Sequence, residues 1–135
     1  MVKKILFVCK YNRFRSKIAE AVFNKLNKNK NYQAKSAGII KGSSIDKKQI
    51  ETAKKRDIDI KGNPIGLSTK LLKWQDVTII VADDVPIEIF KDNAKYGKEL
   101  IIWGIPDAQE DNEEEINSII QLIEKRVKEL IEKLR

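Results

Sequence analysis

The chain passes from a short apolar run, Lys3 to Val8, straight towards a helical pattern. The joint is Cys9-Lys10-Tyr11-Asn12-Arg13-Phe14-Arg15-Ser16. The apolar run reads as a buried parallel strand. Beyond the joint, Ile18, Ala19, Val22, Phe23 and Leu26 fall at helical spacing. A strand that feeds a helix this directly belongs to an α/β fold. Its loop sits where several backbone N–H groups turn inward beside a helix N-terminus. Such a loop suits a tetrahedral oxyanion: phosphate, sulfate or arsenate.

The alternation continues along the 135 residues. Tyr32 to Ala37 is a predicted strand closed by Gly38, and Asp46 caps a predicted helix running to about Arg56. Gly62-Asn63-Pro64 breaks the chain before a short helix near Ser68 to Lys73. Val77 to Val81 is β-branched and apolar, a buried-strand signal. Pro86 to Phe90 opens a further helix, and Glu99 to Trp103 forms the last strand. Ile116, Ile119, Ile120, Ile123, Val127, Leu130, Ile131 and Leu134 then recur at three- and four-residue steps. That pattern gives one apolar helix face, expected to pack on the sheet, with Asn112 as cap and Glu115 as its capping-box partner. Four strands alternating with helices imply an α/β doubly wound parallel sheet, which binds ligands outside the carboxyl ends of its strands. The Cys9 loop and the Trp103 to Asp107 loop should therefore open on one edge. With no repeat and no linker, residues 1–135 read as a single domain.

Composition removes several chemistries. One cysteine excludes an internal disulfide and a Cys-rich metal site, and the absence of histidine excludes Ser-His and Cys-His catalysis. No metal and no cofactor are expected. The net charge is +7, unevenly placed: residues 1–35 carry ten Lys/Arg and only Glu20 as acid, whereas residues 107–115 carry six carboxylates. Lysines nevertheless run along the whole chain, without an aromatic-interleaved motif. The charge is expected to serve solubility or substrate steering rather than nucleic-acid binding. No apolar run approaches the roughly 20 residues that span a bilayer, and the N-terminus lacks a signal-peptide pattern. A cytoplasmic protein without a membrane partner is expected.

Within the loop, Cys9 sits in the field of the helix terminus and of Arg15, so the nucleophilic thiolate is expected to be favoured. Arg15 supplies a planar fork for two oxygens, which lysine could not. The Ser16 hydroxyl can donate to the sulfur. Asn12 suits a left-handed turn. Lys10 and Tyr11 should line the rim. Arg13 and Phe14 complete the candidate anion-binding loop, although a solvated surface charge is the favoured reading of the Arg13 side chain. Asp107, preceded by Pro106, opens an acidic run before a helix, and the residues alone leave open whether it suits the helix dipole or serves catalysis. Glu110, Asp111 and Glu113 follow closely, and their negative field is expected to help it keep its proton.

The segment Val8-Cys9 to Arg15-Ser16, followed by Ala19-Glu20, resembles the phosphate loop of the low-molecular-weight protein tyrosine phosphatase superfamily, which includes thioredoxin-coupled arsenate reductases. Ser36-Ala37-Gly38 is similar to that family's turn after the second strand. Asp83 resembles the aspartate after its third strand, and Trp103-Gly104-Ile105-Pro106-Asp107 resembles the loop of its catalytic aspartate. The resemblance implies a three-layer fold with a four-stranded parallel sheet in the order 2-1-3-4 and helices on both faces. It implies Cys9 as nucleophile, Arg15 as phosphoryl stabiliser, Asp107 as acid and then base, and Ser36 in support. The implied partner is a phosphorylated protein or a small phosphomonoester, with protein phosphotyrosine foremost.

The sequence also departs from that family. Phe14 stands where many members carry a second loop cysteine, so a protective disulfide cannot form. Ala108 and Gln109 follow Asp107 in place of proline and tyrosine, which removes an aromatic wall. Lys10-Tyr11 replaces smaller, less charged residues, a basic rim suited to an acidic substrate. The thiols of an internal arsenate-reductase relay are absent. Three functions remain: a phosphomonoester hydrolase, an arsenate reductase using an external thiol, and an oxyanion or phosphopeptide reader without turnover.

Overall fold

The computed structural model describes residues 2–60, 62–109 and 112–134. Strand β1 (Lys3–Cys9) is central. It pairs in parallel with β2 (Tyr32–Gly38) on one side and β3 (Val77–Ala82) on the other, and β3 pairs with β4 (Glu99–Ile105). The order is therefore β2-β1-β3-β4, all parallel, as the resemblance implied. Side chains alternate along β1 and β3. Ile5, Phe7, Ile79 and Val81 enter one core with helices α1 (Arg15–Leu26) and α4 (Glu113–Lys133). Leu6, Val8, Ile80 and Ala82 enter a second core, against α3 (Thr69–Trp74) and the segment around Phe90. Burial on both faces explains why these strands read as continuous apolar runs.

The long terminal helix shows which effect holds an element in place. Asn112 caps α4 through its side chain, accepting from the Glu115 N–H at 3.1 Å. The expected box is only half made, because the Asn112 N–H goes to the Gln109 carbonyl at 3.1 Å. A cap is worth about 0.5–2 kcal/mol. Ile116, Ile120, Ile123 and Val127 are each fully buried, at about 1.5–3 kcal/mol apiece. Packing therefore dominates, and the face meets α1 and α2 (Lys47–Lys55) more than the sheet expected from the sequence, which it touches at β4.

Two elements differ from expectation. The segment after Pro86 forms two short 3-10 turns, Ile87–Phe90 and Ala94–Tyr96, rather than one helix. Phe90 plugs the second core, and Gly97 closes the segment in a left-handed conformation (φ 70°), which leaves room only for short pieces. Strand β4 runs on to Ile105, because a register shift between Ile80 and Ala82 lets Ala82 pair with Ile105. Among the described residues, no helix is long and apolar enough to cross a membrane.

Candidate active site

The loop between β1 and α1 is shaped by what its carbonyls do. The carbonyls of Cys9, Lys10 and Tyr11 accept from the N–H groups of Ile39, Ile40 and Gly42, each at 3.1 Å. With the carbonyls turned towards residues 39–42, the loop's amides are left to face the other way. Asn12 takes the left-handed conformation its residue type suggests, with φ 54°. Phe14, at the N-cap of α1, offers no side-chain acceptor to the first turn. The N-terminal N–H groups there are suited to an external anion. The Phe14 side chain belongs to the buried core.

Gly38 makes this arrangement possible. A Cβ at that position would lie 2.5 Å from the Tyr11 carbonyl carbon, 2.6 Å from the Asn12 nitrogen and 2.7 Å from the Ile40 oxygen. All three are backbone atoms, which cannot step aside as a flexible side chain would. Gly38→Ala is expected to cost about 1–3 kcal/mol, the usual range for overpacking. Urea unfolding checks this: the midpoint should fall, and an unchanged midpoint would show that the loop is not clamped there.

Around Cys9 the hydrogen bonds form a connected chain. The Asn12 Nδ2 donates to Ser16 Oγ at 2.7 Å and to Ser36 Oγ at 3.0 Å. Ser16 Oγ also lies 2.9 Å from the Cys9 Sγ, where either group can be the donor; towards a thiolate, which has no proton to give, it is the hydroxyl that donates. In the same way Ser36 donates to the Glu20 carboxylate at 2.6 Å. The Asn12 Oδ1 accepts from the Ile65 N–H at 2.9 Å. Asn12, Ser16 and Ser36 are all buried, so each polar atom satisfied here avoids a desolvation penalty of about 1–3 kcal/mol. Ser36 thus supports the loop from β2 rather than facing the cavity, and Asn12 does the same from within.

Arg15 is 3% exposed and held by several groups. Its Nη1 donates to the Ile105 carbonyl at 2.9 Å and lies 3.4 Å from Asp83. Its Nη2 meets both Asp84 oxygens at 3.0 and 3.2 Å and lies 3.6 Å from Asp107. A buried guanidinium needs such partners to offset its lost hydration. Asp84, which sequence reading passed over for Asp83, makes the closer, two-oxygen contact. Asp107 is 55% exposed on its side chain, and its Oδ1 accepts from the Ala108 N–H at 2.9 Å. Of the acids expected to act on Asp107, Glu110 and Asp111 lie outside the described residues. Glu113 is paired with Lys55 at 2.8 Å, a hydrogen bond that holds its carboxyl below the usual range. Its charge is answered there.

These groups border a cavity of about 40 Å³, lined by Cys9, Tyr11, Arg13, Phe14, Arg15, Gln49, Asp107 and Ala108. It exceeds the roughly 10–15 Å³ that one water needs. Larger grooves exist, such as one of about 590 Å³ beside Lys17 and Asp57, but their linings hold no cysteine. Tyr11 stands at the rim, 40% exposed, with the Lys10 ammonium 5.3 Å from its ring centre; Lys10 does not line the cavity. Arg13 is half-buried rather than freely solvated. Its Nε donates to the Ser44 carbonyl at 3.1 Å, and its stem passes Gly42, where a Cβ would sit 2.8 Å from Cγ.

A family model described as low molecular weight phosphotyrosine protein phosphatase matches residues 4–135. The chain belongs to this family. Its sheet and helices match those of solved members. Wzb from Vibrio vulnificus, solved with benzylphosphonate, is 27% identical, with 98% of this chain and 99% of that one covered and a TM-score of 0.81. The low molecular weight protein tyrosine phosphatase of T. tengcongensis is 25% identical, with 97% and 99% covered and a TM-score of 0.83. An arsenate reductase from Archaeoglobus fulgidus is 26% identical, with 94% and 98% covered and a TM-score of 0.73. No curated protein matches the sequence.

Proposed function

We propose that the protein hydrolyses phosphomonoesters through a cysteinyl-phosphate intermediate, with protein phosphotyrosine as the foremost substrate. The observation that carries this reading is the hydrogen-bond chain Asn12–Ser16–Cys9 at a cavity that Arg15 and Asp107 also border. Cys9 Sγ attacks phosphorus in line, and the bond to the leaving oxygen breaks. The loop amides and Arg15 stabilise the equatorial oxygens, and Asp107 protonates the leaving oxygen. An oxyanion entering the cavity exchanges for part of the carboxylate pairing that Arg15 makes with Asp84 and Asp107. In the second step water attacks phosphorus, Asp107 takes its proton, and the electron pair returns to sulfur, where the Ser16 hydroxyl steadies the thiolate. The exposed face of Tyr11 offers an aromatic contact for a substrate ring, in the place of the wall missing after Asp107.

The arsenate-reductase neighbour makes a second reading worth a parallel arm. Cys9 is the chain's one thiol, so a reduction would need an external thiol to resolve the adduct. The test is hydrolysis of para-nitrophenyl phosphate with a chelator present, with and without vanadate, beside arsenate-dependent oxidation of a supplied small thiol. Hydrolysis that survives the chelator and is stopped by vanadate is expected. Thiol oxidation without hydrolysis would transfer the protein to the reductases.

A further inference from the structure

Helix α2 (Lys47–Lys55) brings a group into the cavity that neither the loop motif nor the acid explains. The start of α2 reads Asp46-Lys47-Lys48-Gln49. Asp46 caps the helix, accepting from the N–H groups of Lys48 at 3.1 Å and Gln49 at 3.3 Å. Glutamine at this third helical position ordinarily closes a capping box by bonding back to the cap's own N–H. Here it does not. The Gln49 side-chain amide makes no hydrogen bond to any described residue, although the residue is only 3% exposed. It lines the cavity with Cys9, Arg15 and Asp107 instead. The Gln49 amide is not among the fully sealed polar atoms left without a partner, of which Thr78 Oγ1 is the one found among the described residues, so it keeps solvent contact and is available to a group that enters the cavity.

We infer that Gln49 positions the water that hydrolyses the cysteinyl-phosphate. This rests on the covalent reading above and adds a residue to its second step. In that step a water oxygen forms a bond to phosphorus as the sulfur–phosphorus bond breaks. One water proton passes to the Asp107 carboxylate, and inorganic phosphate leaves. The water carries two O–H groups, and Asp107 takes only the one being transferred. The second needs an acceptor, whereas the arginines lining the cavity only donate. The Gln49 amide oxygen is an uncharged acceptor that has no competing partner among the described residues. Its N–H₂ group can meanwhile donate to the water or to a phosphoryl oxygen. Glutamine serves this purpose elsewhere in phosphoryl-transfer chemistry, orienting a water without itself removing the proton. The first step involves no water, and so the two steps should respond differently to this side chain.

The test is rapid-quench kinetics with para-nitrophenyl phosphate on Gln49→Leu and Gln49→Asn, each checked for folding by circular dichroism. For Gln49→Leu the nitrophenol burst should keep its rate, while the steady-state rate falls on the order of tenfold to hundredfold, the range of one or two well-placed hydrogen bonds. Cysteinyl-phosphate should accumulate to a larger fraction of the enzyme. Gln49→Asn should recover part of the hydrolysis rate in a way that leucine does not. Equal slowing of both steps would overturn the inference. So would a higher KM and weaker phosphate inhibition with the hydrolysis rate unchanged, because that pattern belongs to a phosphoryl-binding group. A wild-type enzyme with no burst and no turnover would instead defeat the phosphatase reading itself.

Discussion

Cys9→Ser is expected to remove turnover altogether while leaving the protein folded and able to bind phosphate. Serine differs from cysteine here by one atom, and the pocket that holds it is otherwise unchanged. Asn12, Ser16 and Ser36 keep their hydrogen bonds to one another, because none of those bonds depends on sulfur. The loop carbonyls remain tied to Ile39, Ile40 and Gly42, so the amides keep their direction. Only the nucleophile is lost, since a serine hydroxyl in a site without histidine has no base to activate it. Calorimetric titration with phosphate should show affinity within a few-fold of wild type, beside a rate indistinguishable from the uncatalysed one. Full activity in the variant would dismiss Cys9 as nucleophile. Loss of phosphate binding would mean that the sulfur also builds the site.

Asp107→Asn should lose activity in proportion to how badly the leaving group needs a proton. Asparagine fills the same space and can still accept from the Ala108 N–H as Asp107 does, so the local backbone should hold. It cannot supply a proton to an alkoxide or phenoxide of high basicity. A positioned acid typically contributes about 10²- to 10⁴-fold. Losses of that order are expected for phenyl or alkyl phosphates, and much smaller ones for the burst phase with para-nitrophenyl phosphate, whose leaving group departs unprotonated. A plot of rate against leaving-group basicity should steepen in the variant. Equal losses at both ends of the series would argue that Asp107 acts only by tethering Arg15, from which it lies 3.6 Å away.

Much of this was legible in the residues because local rules and the global fold agree. The spacing of Ile18, Ala19, Val22 and Phe23 placed α1, and all four are buried in the core it covers. Asn12 was readable as left-handed from its residue type, and φ is 54°. Asp46 caps the helix it was expected to cap. The rest depended on distances that sequence does not carry. Asp83 and Asp84 are adjacent in the chain, and nothing local says that Asp84 reaches Arg15 with both oxygens. Gln49 was hidden for a different reason. Its place three residues after a capping aspartate already has a sufficient local explanation, and only the unmade bond in three dimensions exposes another use. Arg13 looked like a solvated charge because the carbonyl that holds it, from Ser44, is 31 residues away.

The central claim is that a sulfur anion under a ring of amides and one guanidinium takes up the phosphoryl group itself. Rapid quench of the turning-over enzyme with labelled phosphomonoester, followed by peptide mapping, tests it most directly. The label should be found on the peptide containing Cys9, at a level that rises and decays with turnover. Label on any other residue, or steady turnover without a phosphorylated enzyme at any time point, would contradict it.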